Sequence, residues 1–171
     1  MEGEERREKI RRLLGTSANP VSGSELAKIM GVSRQVIVQD IALLRAMDKN
    51  ILSTNKGYII YNPDPGSTRV KRTIAVKHED KDMQEELYLI VDCGGTVLDV
   101  VVEHDVYGQL TGELILKNRQ DVDDFIEKIN NSQSQSLLTL TGGNHFHTIE
   151  ADDEAVLRRI EDKLKERGFL R

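Results

Sequence analysis

Apolar residues recur at helical spacing along the first third of the chain. Ile10, Leu13 and Leu14 form one stripe, Leu26, Ile29 and Met30 a second, and Ile37, Ile41 and Leu44, at i, i+4 and i+7, a third. Capping chemistry marks where two of these helices begin. Ser22-Gly-Ser-Glu25 has the S-x-x-E form of a capping box, and Ser33 stands where its hydroxyl can accept from the first-turn amides of the third helix. Only Gly31-Val32 separates the second helix from Ser33, the short corner of a helix-turn-helix. Ile51–Tyr61 then reads as two short strands around a turn at Asn55-Lys56-Gly57. Three helices and a hairpin predict a winged helix-turn-helix over residues 1–62.

Beyond the turn-forming run Asn62-Pro63-Asp64-Pro65-Gly66-Ser67 the pattern changes, which sets a linker at 63–70 and a second domain at 71–171. Thr73–His78 alternates, with Ile74, Val76 and His78 on one side of a strand. Asp80 is placed as the cap of a helix whose stripe is Met83, Leu87, Ile90 and Val91 and which stops at Gly94-Gly95. Thr96–His104 is a strand sharing Leu98, Val100, Val102 and His104 on one face, and Gln109–Lys117 is its hairpin partner. A helix over 119–131 buries Val122, Phe125, Ile126 and Ile129. Leu137–Glu150 reads as a strand with a bulge at Gly142-Gly143, and a last helix runs from an Asp152 cap with Leu157, Ile160 and Leu164 inside. The order βαββαβα predicts an antiparallel sheet covered on one face by helices, so the whole chain is of the α+β class. The bare sheet face, about Leu98–Glu103, is the expected interface of a homodimer.

Charge sharpens this division. Residues 1–62 hold ten Lys/Arg against seven Asp/Glu, and residues 63–171 fourteen against twenty-two. A basic head on an acidic body suits a DNA-binding module joined to a sensor. Arg34, Gln35, Gln39 and Arg45 fall outside the apolar stripe of the third helix, and forked donors and carboxamides are the side chains that read guanine and adenine edges. Lys56 at the tip of the wing suits a phosphate, and Ser33 opens the reading helix. The single Cys93 offers no disulfide framework. No stretch reads as a signal peptide or membrane span, so a cytoplasmic protein is expected.

The histidines carry the remaining chemistry. In a strand His145-x-His147 projects both imidazoles from one face. His78 ends an inward-facing row, and Glu86 borders the buried stripe of its helix, where a carboxylate is costly unless paired or metal-bound. Either a metal site or ordinary partners accounts for them: a lysine or arginine for Glu86, a hydrogen-bonded core position for His78. Three nitrogens and one oxygen suit nickel, zinc or iron rather than calcium or magnesium. The segment His104–Gly108 holds either an effector contact, through His104 and Tyr107, or a core histidine bonded to backbone.

The chain as a whole resembles the niacin-responsive transcriptional repressors of the NiaR type, in which a biotin-repressor-like winged helix precedes a three-histidine domain. The resemblance rests on GVSRQVIVQDIALLR at 31–45, KHEDKDMQEELYLIVDCGG at 77–95, VEHDVYG at 102–108 and GGNHFHTIE at 142–150. Asp105 stands where the family often has proline, a departure confined to a turn. The resemblance implies an HPr-like second domain, a divalent metal on His78, Glu86, His145 and His147, nicotinic acid as corepressor, a homodimer, and double-stranded operator DNA of niacin-uptake or NAD-synthesis genes as target. Other classes weigh less. A small metal-dependent hydrolase would need a positioned base, and a response to another small molecule, to the metal itself or to histidine phosphorylation rests on analogy alone.

Overall fold

Ser22 and Ser33 both cap helices, accepting from the backbone N–H of Glu25 (3.1 Å) and Val36 (3.3 Å). In the computed structural model, which describes residues 2–48, 50–62 and 66–171, the chain forms two compact units, 1–65 and 66–171. Positions 63–65 of the expected linker lie outside the described residues, and β3 already begins at Val70.

The first unit contains α1 (Gly3–Thr16), α2 (Gly23–Met30), α3 (Arg34–Met47), β1 (Ile51–Thr54) and β2 (Gly57–Ile60). Ile10, Leu14, Leu26, Met30, Ile37, Ile41, Leu44 and Ile51 form its core. Ile29, expected inside, is 44% exposed; Ala27 takes the inner position instead. A stripe of Leu26, Ala27 and Met30 puts the smallest side chain on the packed face of α2, and Ile29 lies round the helix from it. Asp40, on the inner side of α3, is buried and bound by Arg6 (Nε to Oδ2, 2.6 Å) and Arg7 (3.4 Å) of α1. The hairpin is held by residue 21, whose N–H and carbonyl exchange 2.8 Å bonds with Tyr58. That approach needs Gly57, because a Cβ there would lie 2.4 Å from the Val21 carbonyl oxygen.

The second unit runs β3 (Val70–Lys77), α4 (Met83–Asp92), β4 (Thr96–His104), β5 (Gly108–Leu116), α5 (Arg119–Asn130), β6 (Asn144–Ala151) and α6 (Glu154–Glu166). Its strands pair antiparallel in the order β5-β4-β6-β3. Ile74, Val76, Val97 and Ile149 of the sheet pack with Leu87 and Ile90 of α4, Val122 of α5 and Leu157, Ile160 and Leu164 of α6 in one core. Phe169–Arg171 lie along the far side of β3: Lys77 N–H donates to the Phe169 carbonyl (2.8 Å) and Arg171 N–H to that of Ala75 (3.0 Å). No helix among the described residues is long and apolar enough to cross a membrane.

Four local expectations are corrected. Residues 137–150 do not form one strand. Leu137–Thr141 is a 3-10 helix, and Gly142 and Gly143, both left-handed (φ 61° and 91°), turn the chain before β6. The Asp80 side chain caps no helix; it lies in a 3-10 turn, Asp80–Asp82, and accepts from the Ser136 hydroxyl (2.7 Å), while α4 starts at Met83. Asp153 rather than Asp152 caps α6. In β4 the alternation slips. Against β6 the register shifts between Val97 and Val101, and against β5 between Val97 and Asp99, beside Ile115 at φ 56°. Val97 therefore takes the core position expected of Leu98, which is half-buried.

Candidate metal centre

The register of β3 on β6 sets Val76 opposite His145 and Ile74 opposite His147, so His78 follows directly beyond the end of the same pairing. Period-two alternation turns His145 and His147 to the covered face, where α4 passes overhead with Glu86 in its buried stripe. All four side chains are almost wholly out of solvent, and Glu86 is completely so. The imidazoles surround its carboxylate: Nε2 of His78 lies 2.5 Å and Nε2 of His145 3.5 Å from Oε2, and Nε2 of His147 lies 3.1 Å from Oε1. Ligand atoms of His78, Glu86 and His145 fall within 4.8 Å of one another. Neighbouring rings stand edge to face, His78 on His145 at 4.7 Å and His145 on His147 at 4.9 Å between centroids.

Each ring is aimed by its other nitrogen. Nδ1 of His78 meets the Glu79 carbonyl (2.8 Å), that of His145 the Gly143 carbonyl (2.8 Å), and that of His147 the Asp99 carbonyl (2.6 Å). A carbonyl accepts only, so each Nδ1 carries a proton and each neutral ring keeps its lone pair on Nε2. This outer-shell arrangement is the one that orients metal-binding histidines. Nε2 of His145 and of His147 and Oε1 of Glu86 are buried without a hydrogen-bond partner. Three unsatisfied atoms in one cluster are expensive in a protein interior. The donor set fits a divalent transition ion.

The charges within the cluster bear on one another. Burial opposes charge on His78 and His147, yet Glu86 outweighs it and raises both above the ordinary histidine range. Burial pushes Glu86 up, but the charge of His147 and the close approach of all three imidazoles hold it well below the usual carboxylate range. Stability from the raised histidines is present below the ordinary histidine range and lost as pH rises through their folded values. That from Glu86 is present above the ordinary carboxylate range and lost as pH falls through its folded value. A metal must displace the protons on His78 and His147, so its affinity should climb with pH until both are neutral. Calorimetry in two buffers of different ionisation enthalpy should show protons released on binding near neutral pH. Binding without proton release would contradict this account.

A cavity of about 210 Å³ adjoins the cluster. Met83, Leu87, Val100, Leu114, Phe125 and Ile129 supply apolar wall, and Glu86, His145 and His147 a polar one. His104 and Tyr107 do not line it. The His104 ring accepts from the N–H groups of Val106 (3.1 Å) and Tyr107 (3.2 Å), tying the hairpin turn, and Tyr107 is 75% exposed at the tip. His104 instead borders an open hollow with Phe146, which faces away from His145 and His147. Of the two roles left open for His104, the backbone-bonded one describes its contacts. The aiming carbonyls of Glu79, Gly143 and Asp99 were not foreseen, because a main-chain acceptor carries no residue-type signal.

On α3, Ile37, Asp40, Ile41 and Leu44 are buried, while Ser33, Arg34, Gln35, Gln39 and Arg45 are exposed, as is Lys56 in the turn between β1 and β2.

Comparison with known families matches residues 6–59 to an HTH domain and residues 71–171 to the 3H domain. A Thermotoga maritima protein described as a probable transcription repressor NiaR is 45% identical over 167 residues, covering 98% of this chain and 94% of that protein. A Bacillus subtilis protein described as transcription repressor NadR is 43% identical over 169 residues, again covering 98% and 94%.

Proposed function

We infer the function of this chain from one premise: it belongs to the NiaR/NadR family of transcription repressors, with an HTH domain followed by a 3H domain. It is therefore a DNA-binding regulator rather than an enzyme. We propose further that His78, Glu86, His145 and His147 hold one divalent ion, nickel, zinc or iron, and that nicotinic acid is the corepressor. The observation that carries this reading is the presence of three unsatisfied buried ligand atoms in one cluster at the wall of a largely apolar cavity. A cavity of roughly 150 Å³ is enough for benzene, so 210 Å³ admits a one-ring ligand. The metal would supply positive charge there, which a carboxylate needs in an otherwise acidic domain.

The test is reciprocity. An effector shifts an equilibrium only by its differential affinity for two states, so operator DNA should tighten nicotinate binding by the factor by which nicotinate tightens DNA binding. Full nicotinate affinity in metal-stripped protein would leave the metal as a structural clip and refute its direct role.

DNA contacts should divide by chemistry. Gln35 and Gln39 are assigned to base edges, Arg34 and Arg45 to bases or phosphates, and Lys56 to phosphate. Gln39→Ala or Gln35→Ala should relax specificity and cost about 1–3 kcal/mol, whereas Lys56→Ala should weaken all sequences and flatten the salt slope. Wild-type operator binding by both glutamine variants would show that another face reads the DNA. One short reading helix spans few base pairs, so the functional species is proposed to be a homodimer on two half-sites, seen by footprinting as protections one helical turn or a multiple apart.

A further inference from the structure

The strand that carries two of the cluster's histidines also carries, near its end, a residue that holds the first residues of the second unit. β6 presents His145 and His147 to the covered face and Glu150 to the other. The Glu150 side chain is only 8% exposed although it lies on the open side of the sheet. Arg69 and Lys71 lie over it, with Arg69 Nε 3.1 Å from Oε1 and Lys71 Nζ 3.7 Å from Oε2. Arg69 reaches further. Its Nη2 donates to the Glu150 carbonyl (3.5 Å) and the Thr96 hydroxyl (3.4 Å), and its Nη1 lies 3.8 Å from the Asp152 carboxylate. Its own N–H is held by the Ser67 hydroxyl (3.2 Å). One guanidinium ties the first residues of the second unit to the ends of both β6 and β4.

His147 is joined to both of those strands. Along β6, Glu150 is three residues away, roughly 10 Å at the rise of a strand. Across the sheet, the His147 ring donates to the Asp99 carbonyl and the Asp99 carboxylate accepts from Thr148 N–H (2.8 Å). Asp99 falls where β4 slips against β6, so a side chain satisfies Thr148 in place of a ladder bond. Thr96, which holds Arg69, is three residues from Asp99.

We propose that the Arg69 clamp on Glu150 and Thr96 couples the occupancy of the histidine–glutamate cluster to operator binding. This rests on the effector reading above. Arg69 touches neither the cluster nor its cavity wall; it is a positioning residue that fixes the first residues of the second unit against the sheet. A movement of His147 reaches it twice, through the end of β6 and through Asp99 into β4. A guanidinium suits the role because its planar fork holds several acceptors in one geometry, which an ammonium on a flexible stem does not.

The experiment uses the full chain loaded with metal. Operator affinity is measured with and without nicotinate, and nicotinate affinity without DNA, in wild type, Arg69→Ala, Arg69→Lys and Glu150→Gln. If the wild-type coupling factor is of the usual size, about 5–150-fold, it should fall to within about twofold of one in Arg69→Ala. Nicotinate affinity and metal content of that variant, measured without DNA, should match wild type. Arg69→Lys should keep part of the coupling, since it can retain the Glu150 ion pair but not the fork. Glu150→Gln should lose coupling as the alanine variant does, and it serves where Arg69→Ala folds poorly. A wild-type coupling factor in both Arg69→Ala and Glu150→Gln would overturn the proposal, as would loss of nicotinate affinity itself. A wild type that shows no coupling overturns the effector reading first, and the clamp with it.

Discussion

Alanine at His145 or at His147 should abolish the proposed metal binding while leaving the second unit folded. Each ring is buried, each is aimed by a main-chain carbonyl, and each turns toward Glu86 an Nε2 that makes no hydrogen bond. Outer-shell partners alone are typically worth about 10–100-fold in metal affinity, so loss of a ligand should cost at least the upper end of that range. Metal content per protomer and titration calorimetry read the effect, and thermal unfolding checks the fold. His104→Ala is the matched control, because that ring ties a hairpin turn and should leave metal binding unchanged. Retention of metal by both His145→Ala and His147→Ala would remove the centre as described.

The second large effect is expected at a glycine. A Cβ on Gly143 would lie 2.3 Å from the His78 carbonyl oxygen and 3.1 Å from its carbonyl carbon, and the residue sits at φ 91°. The obstacle is backbone, so no rotamer change relieves it. The same residue accepts from His78 N–H (3.3 Å) and from the His145 ring (2.8 Å). Gly143→Ala should therefore separate the two histidines and cost both metal affinity and at least about 2 kcal/mol of metal-free stability. Gly142→Ala next to it makes the contrast: its added Cβ meets nothing within 4 Å, so only the conformational cost of a left-handed alanine, about 1 kcal/mol, should appear. Denaturant melts of both metal-free variants, followed by metal titration, separate these outcomes. Equal effects at the two positions would refute the steric argument.

Much of this architecture was written in short-range chemistry. Ser22 and Ser33 were legible as caps because a hydroxyl and an amide three residues apart suffice to start a helix. His145 and His147 were legible as a pair because strand period alone puts them on one face, and Glu86 because a carboxylate bordering a buried stripe demands a partner. The errors share a different origin. Val97 displaces Leu98 because the register slip in β4 is set by pairing with both neighbours, which no single strand reveals. Ile29 is exposed because Ala27, a weak apolar signal, takes the packed position. At 137–150, two consecutive glycines read equally as bulge or break, and the left-handed turn at both selected the break. His104 stayed open between two roles because periodicity places a ring without telling which of its nitrogens is already engaged.

Phe169–Arg171, laid along β3, have a consequence for how the molecule behaves at high concentration. β3 pairs with β6 on one side, and on its other side the Lys77 N–H and the Ala75 carbonyl are taken by these residues. Without them a stretch holding Ile74, Ala75 and Val76 would be a raw sheet edge, the kind of template on which chains stack into fibres. Phe169 also packs its ring 5.1 Å from that of His78, so the same cover shuts water out from behind the first histidine. Clipping by a protease before residue 169 should thus produce two faults together: a histidine cluster opened to water, with weaker binding of the proposed metal, and a chain that self-associates strand to strand.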